Sequence, residues 1–166
     1  MKRNKLVFTV ILLVLISGCS SGDSSKEDFF QYNDSYIGDN GAVGAILRLL
    51  PGKTELENFS LQTKSEPYGL TAYYSESLPI EDQREAFLFN ATLLFTLIHN
   101  AETVSAEYGD EMFSVTKDEL EAWYGETFFE ADSEEALLEL TLPKLENREK
   151  VNEFFENQTG VNESEK

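Results

Sequence analysis

The chain has 166 residues, 31 of them acidic and 13 basic, for a net charge of −18. So large an acidic excess repels nucleic acid and anionic lipid headgroups, which carry the same sign, and excludes both as partners for its surface. One cysteine and one histidine exclude an internal disulfide and a multi-histidine metal centre.

The N-terminus opens Lys2-Arg3-Asn4-Lys5, a basic stretch. An apolar run of eleven residues follows, Leu6 to Ile16, broken only by Thr9. A membrane-spanning helix needs about 20 residues, so the pattern reads as a signal peptide over residues 1–18. The run ends Leu15-Ile16-Ser17-Gly18-Cys19, which resembles the bacterial lipobox, where small residues precede a cysteine that becomes acylated. Diacylation at Cys19 would give two-chain anchoring that holds stably in a bilayer. The alternative is an ordinary signal peptide that happens to end in a cysteine. Residues 19–34 begin small and polar and read as a lipidated tether. Without residues 1–18 the chain keeps ten basic and all 31 acidic residues, a net charge of −21.

A single globular domain is expected over residues 35–159, with a polar tail at 160–166. Asp39 can cap a helix that carries Val43, Ile46, Leu47 and Leu50 on one stripe and stops at Pro51-Gly52. Phe59, Leu61 and Thr63 alternate with polar residues, as do Tyr68, Leu70, Ala72 and Tyr74. This is strand periodicity on either side of a turn at Ser65-Glu66-Pro67 and predicts a hairpin. Residues 83–99 are apolar nearly all round, which predicts a helix buried in the domain or an interface. Asn100 suits a left-handed cap after it. Val104, Ala106 and Tyr108 alternate up to a turn at Gly109-Asp110, and Met112–Val115 completes a second hairpin. Thr116 and Glu119 have capping-box spacing, opening a helix that ends at Gly125. A further helix starts at Asp132 or Ser133 and is interrupted at Pro143. Residues 146–157 make a last amphipathic helix through Val151, Phe154 and Phe155. The expected class is α+β, one antiparallel sheet of two hairpins with helices packed on it, in the order α-β-β-α-β-β-α-α.

Four segments are similar to an uncharacterised family, the domain of unknown function 4825. They are Tyr36-Ile37-Gly38-Asp39-Asn40 with Val43-Gly44 and Leu50-Pro51; Leu61 to Leu70, including Glu66-Pro67-Tyr68-Gly69; Asn90-Ala91-Thr92-Leu93-Leu94-Phe95 through Asn100; and Val115 to Leu120 with Tyr124-Gly125. His99 departs from the acid that is commoner before that asparagine. The resemblance implies a lipid-anchored extracellular domain of a Gram-positive bacterium. It also implies a link to BlaR-type membrane metallopeptidases, some of which carry this domain as a tail. It implies no activity and no catalytic residue, and the chain has no His-Glu-x-x-His.

His99, at the end of the apolar helix, reads as a solvent-facing or satisfied end residue, and no Gly-x-Ser-x-Gly elbow accompanies it. A Ser/Lys dyad stays open because both residue types are common. No cofactor is called for and no metal site is expected. Divalent cations are the ions an acidic surface would attract, yet the EF-hand order of acids is absent. Two segments are candidates for a ligand or partner surface. Tyr36, Asp39 and Asn40 lead into a helix N-terminus, where the alternative is a plain N-cap. Glu66 and Tyr68 sit on a loop, where the alternative is turn chemistry. Tyr73, Tyr74, Trp123, Tyr124, Phe128 and Phe129 read as core rather than as a ligand platform. The expected function is non-enzymatic binding, sensing or regulation on the extracytoplasmic face of the cell membrane, with a signalling or peptidase membrane protein as the partner. An envelope-maintenance role and a hydrolase with an unrecognised site are the alternatives.

Overall fold

A computed structural model describes residues 29–75, 80–125 and 127–162. The expected signal peptide, Cys19 and the expected tether up to residue 28 lie outside the described residues, as do 163–166 of the expected tail.

The described residues build four strands and five helices: α1 (Asn40–Leu47), β1 (Leu56–Gln62), β2 (Gly69–Tyr74), α2 (Ile80–Leu97), β3 (Thr103–Tyr108), β4 (Glu111–Thr116), α3 (Lys117–Tyr124), α4 (Glu134–Leu145) and α5 (Arg148–Asn162). Short 3₁₀ turns occupy Phe29–Tyr32 and Phe128–Glu130. The class is α+β, and the five helices fall on the five helical segments read from the sequence, one more than the order α-β-β-α-β-β-α-α counts. The helix expected over 146–157 is α5, opened by Asn147, whose side chain accepts from the Lys150 N–H at 3.3 Å.

Both expected hairpins form. β1 pairs antiparallel with β2, and β3 with β4. The sheet is nevertheless mixed rather than antiparallel throughout, because β2 and β3 run parallel at its centre in the order β1-β2-β3-β4. Helix geometry explains this. The 18 residues of α2 cover about 27 Å, enough to carry the chain back along the strands. β3 therefore starts beside the start of β2, and Gly69 faces Thr103.

Alternation then sorts the faces. Phe59, Ala72, Ala106 and Phe113 form one row across all four strands, and Leu61, Leu70, Val104 and Val115 the next. The two alanines leave a trough between phenylalanines at the edges. α2 packs against this face, touching β3 and β4, with Phe87 reaching Phe113 at 5.6 Å between ring centroids. On its other sides α2 meets α4, α5 and the 3₁₀ turn at Phe128. That enclosure is why its sequence has almost no polar face.

Several polar residues brace this core. Asn90, 4% exposed, donates to the Pro51 carbonyl at 3.0 Å and ties the end of the α1 segment to α2. The Thr92 hydroxyl bonds the Leu88 carbonyl and the Tyr124 hydroxyl. Asp39 caps α1 by accepting from the Ala42 N–H. Thr116 and Glu119 form the full capping box of α3, and Gly125 ends it with φ 75°. Pro143 does not interrupt α4, contrary to the sequence reading, and lies inside the helix. It is exposed, and so is Glu139 one turn earlier, whose carbonyl loses a donor where water can replace it. Asn100 takes no left-handed backbone; its side-chain oxygen accepts instead from the Ile37 N–H at 2.9 Å. The expected tether also ends sooner than residue 34. Phe29–Tyr32 are helical and pack on the core, and Ser35 bridges to Ile98.

Candidate functional site

The rows facing away from α2 have a different chemistry. Ser60, Thr71, Ser105 and Ser114 lie opposite one another in register, a line of hydroxyls crossing the sheet from edge to edge. Ser60 and the Tyr73 hydroxyl stand 3.2 Å apart, and the Ser105 and Ser114 hydroxyls 2.9 Å. The neighbouring row is Gln62, Gly69, Thr103 and Thr116. Gly69 has no side chain to fill its place, and the sheet sinks there into a depression of about 510 Å³. Ser60, Gln62, Thr71, Thr103 and Ser105 line it, with Lys64 and Pro67 at the rim. Glycine is required at this position, since a Cβ on residue 69 would sit 2.6 Å from the Thr103 carbonyl oxygen.

The loop before Gly69 is held from two sides. The Gln62 amide donates to the Pro67 carbonyl at 2.8 Å. The Tyr68 N–H donates to the Glu102 carboxylate at 2.8 Å, while the Tyr68 carbonyl accepts from the N–H groups of Glu102 and Thr103. The Glu66–Pro67 peptide bond is cis. Glu66 is exposed and Tyr68 half-buried, and neither lines the depression, which this loop borders through Pro67.

Tyr36, Asp39 and Asn40 fall elsewhere. Tyr36 is 56% exposed, its ring tilted against His99 at 5.6 Å. Asp39 is spent on the α1 cap and Asn40 is the first helical residue. The two candidate segments do share a support. Ser35 and Ile37 bond residues 97–100, and Tyr68 bonds residues 102 and 103, so both hang on the connection from α2 to β3. Neither Tyr36, Asp39 nor Asn40 lines the depression.

The aromatic set divides. Tyr74, Tyr124 and Phe128 are buried, while Tyr73, Trp123 and Phe129 are half-buried. Burial raises the phenol pKa of Tyr74, Tyr108 and Tyr124, and Tyr108 is raised further by Tyr74, stacked on it at 4.7 Å. Among the described residues no group of three or more His, Cys, Asp and Glu side chains gathers as a metal site. None of the described helices is long and apolar enough to cross a membrane.

Fold and surface together define a two-layer α+β domain, its sheet packed by helices on one face and carrying hydroxyls on the other. The chain belongs to the family described as a domain of unknown function, DUF4825, whose model matches residues 29–117. Neither a curated protein nor a solved structure matches it. The residues that carry the family likeness are largely structural in this chain: Asp39 and Thr116 cap helices, Asn90 and Asn100 cross-link loops, and Gly69 admits β3. The hydroxyl row was the part missed in the sequence. Its signal was small hydroxyl residues on the polar positions of all four alternating segments.

Proposed function

We propose that the protein is a lipid-anchored extracytoplasmic domain that acts by non-catalytic binding, as a sensor or regulator, and that it meets its partner on the outer face of the sheet. The hydroxyl row Ser60–Thr71–Ser105–Ser114 carries this reading, because a rigid, evenly spaced line of donors and acceptors beside a depression suits recognition of polar surface. The lipobox-like end at Cys19 supports the location. A net charge of −21 beyond residue 18 argues for a protein partner over lipid or nucleic acid.

Thr71→Arg tests the reading by putting a large cation in the middle of the row. Position 71 faces outward, so the fold should hold within about 1 kcal/mol. Crosslinking on intact cells is expected to return one membrane protein with the natural chain and to lose it with the variant. Recovery of that protein undiminished by Thr71→Arg, or of abundant neighbours alone, would overturn the proposal.

A further inference from the structure

On the opposite edge of the sheet lies a second concavity, about 880 Å³, that shares no residue with the first. β4 contributes Ser114 and Thr116, α5 contributes Glu153 and Asn157, and Trp123 and Phe154 supply the apolar surface, their ring centroids 5.4 Å apart. Most of this groove is built from residues beyond the family match, which ends at 117.

β4 is an edge strand, and its free side can be read from the ladder. The Lys117 N–H donates to the Glu102 carbonyl at 3.0 Å. In an antiparallel pair that bond fixes the alternation: Val115 and Phe113 bond β3, whereas Met112, Ser114 and Thr116 turn their backbone groups outward. Thr116 is already served, its N–H donating to the Glu119 carboxylate at 2.7 Å. Met112 and Ser114 therefore present the open edge, and Met112 is 61% exposed. No described strand pairs there.

Charge selects the occupant. Residues 118–162 hold 13 acidic and three basic residues. Two of the three, Lys144 and Lys150, line the groove together with Glu119 and Glu153, so the lining itself is balanced and the attraction comes from the wider acidic surface. The Lys144 ammonium donates to the carbonyls of Trp123 and Tyr124 at the end of α3. Lys150 and Glu153 offset each other on α5. The surroundings thus attract a positive chain and repel a second copy of this one.

We infer that the groove takes an extended cationic segment of another protein, which adds to β4 as a fifth strand through Met112 and Ser114 and lays a side chain over Trp123 and Phe154. Main-chain bonds hold such a segment, and the aromatic surface and the acids select it.

Trp123 is the only tryptophan, so its fluorescence reports the groove directly. The purified full chain would be titrated with a synthetic peptide of about eight residues alternating lysine and valine. A saturable emission shift is expected, weakened roughly tenfold by Glu153→Lys and by high salt. The same peptide N-methylated along one edge should lose binding, since it cannot pair as a strand. An alternating glutamate and valine peptide should not bind. Unchanged emission would overturn the inference. So would equal binding of the N-methylated or the glutamate peptide, or a peptide-independent dimer formed through β4. Thr71→Arg should leave the emission shift intact, so failure of this groove and failure of the outer sheet face are distinguishable.

Discussion

Gly69 shows how much one position settles. It lets the β2 backbone approach β3, and its missing side chain opens the depression on the outer face. Gly69→Ala should cost about 1–3 kcal/mol, read as a lower urea midpoint. Asn100→Ala should cost a similar amount, about 1–3 kcal/mol, because it strands the Ile37 N–H. The buried phenols set the alkaline limit. Tyr74, Tyr108 and Tyr124 stay protonated in the fold above the usual value of 10.0, whereas the unfolded chain ionises near that value. The unfolded state then binds fewer protons, so stability is level below pH 10 and falls as pH rises through the folded pKa values. Phenolate absorbance should therefore appear together with loss of helical circular dichroism. Phenolate forming on all seven tyrosines while the fold persists would contradict it.

Among the elements, the helix signals in the sequence were chemical and therefore readable: Asp39, the Thr116–Glu119 box and Gly125 each sit at the helix end their chemistry marks. The two hairpins were also legible, because alternation and tight turns are local. The parallel joint between β2 and β3 was not, since a strand's pattern shows which face is buried and says nothing of its neighbour. The one clue was length: α2 is long enough to return the chain to where β2 began. The outer hydroxyls had no local mark, since serine and threonine on polar positions are ordinary until register aligns them. Two substitutions test the helix ends and interior. Thr116→Ala should cost about 0.5–2 kcal/mol, seen as a lower Tm. Pro143→Ala should instead stabilise by roughly 1–3 kcal/mol, by restoring a donor to the Glu139 carbonyl. A fall in Tm for that variant would mean that α4 is shaped around the proline.

Across the whole molecule, the helices after residue 117 cover α2. α2 and α5 are further joined by Arg148 to Asp82 and by Arg84 to Asn152. A chain stopped at Lys117 would expose the apolar surface beneath them, and we expect it to aggregate or bind hydrophobic dyes, although it contains the whole family match. Cys19→Ser tests the proposed lipid anchor: the protein should appear in the medium or remain unprocessed, and normal lipid labelling would refute the attachment. The central parallel ladder also sets the order in which the chain can assemble. Each hairpin closes over a few residues, but Tyr68 and Glu102 are 34 positions apart, and joining them requires α2 to be in place. Closing so long a loop is entropically uphill until packing rewards it. The hairpins should therefore flicker early, while the seam between β2 and β3 sets last. Once set, that seam is the innermost part of the sheet, and its amides should be the slowest in the protein to exchange with heavy water.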